Sequence, residues 1–403
     1  MTPDADIRFS KEAIIMNTVF SLLSSEPIEN VITCLNRRID KVVYFGTAQS
    51  ISSAKDSLES FLKKYCRVQS VAFRPIPRHN IDSISNIIAE DVQKEIFAGN
   101  SIFFDITGEA GPVLIGFGRL AREFGIPIHL YDVAENKLRE YNPGISRSLS
   151  GDTQPQQIEL DIRRYIELRG GTVDFKFHKS IKDLSDLEFA ADADKIWKIA
   201  EKYWDIWTAF SECLRREFPD CDGLSVIRRT ESLTASLARV KSRIRSIHKL
   251  SEIIDALARD GILTDIKRSE NHYGFSFKNQ KIKDCLWDGG SILELHTYML
   301  ERPACDDCFV GVHLDWNRDA GGSGNTPDVL NEVDVLSLKG YIPTFISCKA
   351  GNMSGNNALY ALYELETVAS RFGGKYAKKV LVSVKKLSAP YLQRAREMGI
   401  EVR

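Results

Sequence analysis

Acidic and basic residues gather on alternating positions in one stretch of the chain. Asn331-Glu332-Val333-Asp334-Val335 is followed by Phe345-Ile346-Ser347-Cys348-Lys349, then by a helical run carrying Glu364. Side chains alternate along a strand, so Glu332 and Asp334 share one face while Val333 and Val335 fill the other. Ser347 and Lys349 share a face in the same way, opposite Ile346 and Cys348. A short turn at Lys339-Gly340 makes the two strands neighbours and draws Asp334 toward Lys349. Such a set suits metal-assisted phosphodiester hydrolysis, in which hard carboxylate oxygens hold Mg²⁺ and a lysine orients the attacking water. Glu294, on the helix just before these strands, would complete the carboxylates. The plainer alternative makes Glu332, Asp334 and Lys349 the solvated face of a hairpin.

A second stretch has the chemistry of an anion pocket. In Asp105-Ile106-Thr107-Gly108-Glu109-Ala110-Gly111 the backbone N–H groups of a glycine-containing turn lead into a helix at Pro112, where the helix dipole favours negative charge. Ser24, Ser25, Thr47, Gln49 and Thr107 are placed to hydrogen-bond phosphates or base edges, with Gly108 and Gly111 giving close backbone approach. Plain helix N-capping is the competing role for the Ser and Thr residues. No G-x-x-x-x-G-K-[ST] occurs, and Gly116-Phe117-Gly118 falls inside a helical pattern, so the fingerprints for nucleoside triphosphates and dinucleotides are missing. Cys305-Asp306-Asp307-Cys308, with His296 and His313, has a spacing that fits no common zinc module. Two Arg-x-x-x-x-His patterns occur, Arg74 to His79 in a proline-rich loop and Arg243 to His248 on an expected helix.

The elements that carry these residues read as two α/β units. Strands are expected at 13–22, 41–45, 70–73, 101–105 and 127–131, with helices at 27–36, 54–65, 81–98 and 112–124 between them. This alternation predicts a Rossmann-like parallel sheet with ligands outside the carboxyl ends of its strands. A polar segment, 145–157, reads as a linker. Residues 188–260 are strongly helical, with Trp197, Trp204 and Trp207 as expected core, and a helix over 240–258 runs into a two-stranded wing. A mixed-sheet unit follows: helix 291–300, strands 309–316, 332–338 and 342–349, helix 357–372, strand 379–384, helix 389–398 and strand 400–402.

Composition is ordinary for a globular chain. In 403 residues there are 54 Lys or Arg against 55 Asp or Glu, a formal charge of −1, so any polyanion contact must come from local patches. No run approaches the roughly 18 apolar residues of a membrane span, so no membrane association is expected. The polar opening MTPDADIRFSKE is unlike a signal peptide, and eight irregularly spaced cysteines do not make a disulfide framework; a cytoplasmic setting is expected.

The order helix-Glu294, strand-Asp334, strand-Lys349, helix-Glu364 resembles the PD-(D/E)xK restriction-endonuclease-like fold, with Ser347 where that family usually has an acid. Some members of that fold carry Ser-x-Lys and take the missing carboxylate from the next helix, which makes Glu364 the candidate replacement, or else Glu332. The runs GGSILELHTYML, NEVDVLSLKG, FISCKAG and ALYELETVASRFGG look more closely like the nuclease half of CRISPR-associated CARF-domain effectors. The Thr107-Gly108 loop matches the front domain of that family, although Glu109 and Ala110 stand where a basic residue is usual.

The resemblance implies a CARF sensor over 1–145, a linker over 146–187, a helical and winged-helix-like connector over 188–287 and a nuclease domain over 288–403. It further implies a homodimer whose paired CARF domains bind a cyclic oligoadenylate, cyclic tetra-adenylate first. Binding would activate cleavage of single- or double-stranded DNA or RNA with Mg²⁺ or Mn²⁺ held by Asp334, Glu294 and Glu364. Two other readings stand beside it. One is an activator-responsive DNA-binding regulator with a degenerate nuclease domain. The other is a metal-independent RNase working through Arg243 and His248.

Overall fold

A computed structural model describes residues 15–108, 111–143, 158–174, 187–218, 223–239, 242–315, 330–351 and 353–403. The chain divides into two compact units, Met1–Leu160 and Asp161–Arg403. Glu109, Ala110, Trp316 and the polar segment 145–157 lie outside the described residues.

The first unit runs β1 (Asn17–Leu22), α1 (Pro27–Asn36), β2 (Lys41–Gly46), α2 (Ala48–Tyr65), β3 (Ser70–Pro75), α3 (Ile81–Phe97), β4 (Ser101–Asp105), α4 (Gly111–Phe124), β5 (Ile128–Asp132) and β6 (Lys137–Tyr141). The sheet order is β3-β2-β1-β4-β5-β6, parallel from β3 to β5, with β6 antiparallel at the edge. The continuous apolar run of β2 is buried on both faces, as covered parallel strands require. Phe20, Phe45, Phe104 and Phe117 meet in the core on one face, the last two stacked at 4.5 Å. The sheet order reverses between β1 and β4. In open α/β sheets the ligand crevice lies at such a point, outside the carboxyl ends of those two strands.

The second unit opens with α5 (Ile162–Leu168) and β7 (Thr172–Asp174), both inside the stretch read from sequence as linker. β7 pairs antiparallel with β11, and the Asp307 carboxylate accepts the Ile162 N–H at 2.9 Å, so 161–174 is a built part of this unit. Next come α6 (Leu187–Lys202), α7 (Trp204–Glu217), β8 (Ser225–Arg229), α8 (Thr230–Arg239), α9 (Ile247–Arg259), β9 (Leu263–Arg268), β10 (His272–Phe277) and α10 (Gln280–Trp287). From α7 to β10 the order is helix, strand, helix, helix, strand, strand, with a three-stranded sheet β8-β10-β9: a winged-helix arrangement with one strand more than the sequence suggested. The helix expected over 240–258 starts only at Ile247, because the Ser246 side chain caps it by accepting the Lys249 N–H. Trp207 is fully buried in this core, with Trp197 and Trp204 packed partly buried against it.

The last part comprises α11 (Ser291–Glu301), β11 (Asp307–Asp315), β12 (Leu330–Lys339), β13 (Ile342–Lys349), α12 (Asn356–Gly373), β14 (Lys378–Ser383), α13 (Ala389–Glu397) and β15 (Ile400–Val402). Its sheet order is β15-β14-β13-β12-β11-β7, parallel from β13 to β15 and antiparallel on the other side. No helix among the described residues is long and apolar enough to cross a membrane.

Candidate functional site

Register decides which side chains of β12 and β13 meet. Val335 pairs with Ile346 and Leu336 with Phe345, and residues directly opposite in an antiparallel pair point to the same face. Val335 and Ile346 enter a small core with Cys308 and Val380, against which Tyr298 of α11 packs. Asp334, Ser347 and Lys349, each an odd number of residues away, therefore face the other side. There they line a cleft of about 100 Å³ together with Glu332 and Glu364, walled by Phe345, Leu365 and Val368. Lys349 Nζ lies 3.8 Å from Glu364 Oε2. Four of the five residues expected to carry chemistry, Glu332, Asp334, Lys349 and Glu364, thus share one cleft.

Glu294 does not join them. It lies on α11, only 9% exposed, and is not among the cleft-lining residues. α11 packs on the sheet face that holds Cys348, whose Sγ donates to Thr297 Oγ1 at 3.5 Å. The sequence shows that Glu294 is helical but not which face of the sheet its helix covers.

Asp334 is held firmly. Its Oδ2 accepts the Cys348 N–H at 2.6 Å and the Ser347 hydroxyl at 3.2 Å. Burial pushes its carboxyl above the ordinary aspartate value; Lys349 and the two donors oppose this, while Glu332 adds to it. Ser347, read from the sequence only as a missing acid, is a positioning donor for Asp334. Burial first and then Asp334 push the Cys348 thiol well up, which disfavours the thiolate.

Among the described residues no three His, Cys, Asp or Glu side chains stand close enough to hold one metal ion between them. Mg²⁺, however, typically takes one or two carboxylates and completes its shell with water and substrate phosphate oxygens. Asp334, held by two donors beside Glu332, fits that demand. The Cys305 and Cys308 motif gathers no such set: His296 stacks instead on Trp197 at 4.1 Å, and burial raises both thiols. Neither Arg-His pattern has an active-site setting. Arg74 is bound to Asp91 through two bonds of 2.6 and 2.9 Å. Arg243 lies before α9 rather than on a helix and donates to the Asp205 carbonyl, while His248 is exposed beside Glu252.

In the first unit, the loops leaving β1 and β4 meet at the switch point. Thr107 is 1% exposed; its Oγ1 accepts the Tyr131 N–H at 2.8 Å and its own N–H donates to Asp105 at 2.9 Å. Asp105, also bonded by the Thr33 hydroxyl, is buried, and this burial raises its carboxyl despite those donors. The Ser24 hydroxyl donates to Glu29, and the Asn30 amide clamps the Ser24 backbone at 2.8 and 3.0 Å. Thr47 caps α2 by accepting the Ser50 N–H at 3.1 Å. Three of the expected contacts, Ser24, Thr47 and Thr107, are therefore framework, whereas Ser25 and Gln49 are exposed. Gly108 has φ +113°, and a Cβ there would sit 3.0 Å from that of Ser24. Glu29, Asn30 and Asp105 are buried framework residues that the loop motifs alone do not announce; polar Glu29 and Asn30 beside the apolar Ile28 and Val31 are the sequence's signal of this buried bonding.

No family model matches the sequence, and no curated protein matches it. Solved structures do. Protein VC1899 from Vibrio cholerae superposes with a TM-score of 0.68 at 17% identity, over 96% of this chain and 93% of that one. Can2 from Sulfobacillus thermosulfidooxidans, solved in complex with cyclic tetra-adenylate, gives 0.66 at 14% identity, over 97% and 94%. The chain shares the fold of both along nearly its whole length.

Proposed function

We propose that this chain is a cyclic-oligoadenylate-activated, metal-dependent nuclease of type III CRISPR defence, its first unit the sensor and its second the effector. The observation that carries the reading is the convergence of Asp334, Glu332, Lys349 and Glu364 in one cleft. The whole-length fold shared with a protein that binds cyclic tetra-adenylate supports the choice of activator.

Asp334, with Glu332 or Glu364, would hold Mg²⁺ or Mn²⁺, which when bound supplies Lewis acidity at the phosphoryl oxygen and a more acidic water. Ser347 and the Cys348 N–H fix the carboxylate that would hold it. Lys349 orients the attacking water and offsets charge developing on the phosphate, and Glu364 aligns the lysine. Phe345, Leu365 and Val368 keep that side of the cleft dry. In the first unit, the activator lies outside β1 and β4 against Ser25, Gly108, Gly111 and Gln49, and two copies of the chain complete its site. Activation is then a population shift, which requires the activator to bind the active state more tightly than the resting one.

The test is cleavage of single-stranded DNA, single-stranded RNA and supercoiled plasmid with Mg²⁺ or Mn²⁺, each with and without cyclic tri-, tetra- and hexa-adenylate. Activation by one ring size, abolished by EDTA, is expected. Cleavage that survives EDTA would favour a metal-independent RNase. The winged-helix arrangement favours one further reading, a DNA-binding regulator; activator-dependent duplex binding without any cleavage would establish it.

A further inference from the structure

Next to the cleft, the second unit holds a larger open cavity of about 620 Å³ that the nuclease reading leaves unused. Two aromatic residues, Tyr203 and Trp204, form part of its wall where α6 gives way to α7. Lys249, in the first turn of α9, faces it from the winged helix, and Lys385 and Lys386, just past β14, face it from the sheet. With Lys202, four lysines line it against Glu201 and Asp205, with Lys249 also paired to Glu252 at 2.9 Å, in a chain whose overall charge is near zero. The cavity adjoins the cleft through the backbone. Trp204 Nε1 donates to the carbonyl of Ala350, the residue after Lys349, at 3.4 Å. Ser383 is the register partner of Lys349, and the Val384 N–H donates to the Lys349 carbonyl at 3.4 Å, so Lys385 follows within two residues of the proposed catalytic lysine's neighbour.

We propose that this cavity is a subsite for single-stranded nucleic acid, holding the nucleotides that flank the phosphodiester in the cleft. The inference rests on the nuclease reading and deepens it by naming the substrate form. Lysines at the rim neutralise backbone phosphates, and an aromatic face stacks on a base of any sequence. Stacking needs an unpaired base, which favours a single strand over a duplex. Asp205 steadies the rim, lying 3.7 Å from the Lys385 ammonium and receiving Arg243 on its carbonyl. Trp197, 5.7 Å from Trp204, backs the indole from within the unit.

The test uses the full-length Lys349→Ala protein with activator and fluorescent single-stranded oligonucleotides, read by anisotropy over a salt series. A Lys385→Glu/Lys386→Glu variant is expected to bind about ten-fold more weakly, and its salt slope to fall by about 1.4, the value for two lost phosphate contacts on a single strand. Trp204→Ala is expected to lose about five-fold or more, with Trp204→Phe keeping most of the affinity. Binding of the matching duplex should not respond to Trp204→Ala. Unchanged single-strand binding in the lysine variant, whose sites are on the surface, would overturn the proposal even if Trp204→Ala fails to fold. If wild-type protein cuts nothing but single-strand binding still depends on Lys385 and Lys386, the nuclease reading fails and the cavity stands as a single-strand binding site without the cleavage role. If it cuts and the lysine variant binds and cuts equally well, the subsite fails and the nuclease reading stands.

Discussion

Apart from Asp334, which is held as firmly as anything in the first unit, the two units treat their candidate polar residues differently. At the switch point of the first sheet, Ser24, Thr47 and Thr107 spend their hydroxyls on Glu29, Ser50 and the Tyr131 backbone, and Asp105 is sealed beneath them. In the second unit, Lys349 and Glu364 stay 32% and 61% exposed and meet only loosely, at 3.8 Å. The first arrangement builds a stiff frame that leaves glycine backbone and a few exposed side chains to meet a ligand. The second leaves charged groups free to reorganise around one. Under the proposed function this contrast is expected, since a sensor must hold its shape whereas a centre that moves protons and phosphates must present charge.

Substitutions can break or sharpen this contrast. The largest effect is expected from Lys349→Ala: cleavage should fall about 100-fold or more, as on loss of a charge-stabilising donor, while activator affinity measured by calorimetry stays unchanged. A variant that cuts like wild type would move the chemistry elsewhere. Next comes Gly108→Ala. Its φ of +113° and a Cβ 3.0 Å from Ser24 and 3.2 Å from Glu29 should cost about 1–3 kcal/mol in thermal unfolding and weaken activator binding. Unaltered melting and binding would mean the frame is softer than its bonds suggest. The smallest effect on stability is expected from Asp334→Asn, and it is one of sign. Burial raises the folded-state pKa of Asp334, so the native state holds a proton that the unfolded state releases, and stability falls as pH rises through that window. Removing the charge should slightly raise the melting temperature at neutral pH, with the difference vanishing below the ordinary aspartate range, while cleavage is lost. A lower melting temperature at neutral pH would show that the Cys348 and Ser347 bonds outweigh burial.

Much of this was legible in the sequence. The first sheet was readable because covered parallel strands are continuous apolar runs and its helices announce themselves with Pro27 and the Asn80 cap. β12 and β13 were readable because Glu332 to Val335 alternate and a glycine turn, Gly340-Tyr341 in the structure, closes the hairpin in the register that buries Val335 and Ile346 together. Apolar periodicity starts α2 only at 54 rather than Ala48, since its first turn is capped by Thr47 but offers almost nothing apolar. β7 has three residues and exists only because β11, far along the chain, pairs with it. Glu294 shows the deeper limit: a local pattern fixes a helix, but the sheet face it covers is set by the long-range packing of α11 against Cys348 and Tyr298.

The pairing of β7 with β11 also says something about how such a chain can be assembled. A strand laid down before the winged helix and strands laid down after it belong to one sheet. In chain topology the winged helix is a guest inserted into a host fold, and the host is closed only when residues more than a hundred positions apart come together, as His313 does with Asp174. A fragment that begins at the connector would therefore carry a sheet with one edge stripped of its partner. The smallest piece that retains the host whole starts at Asp161.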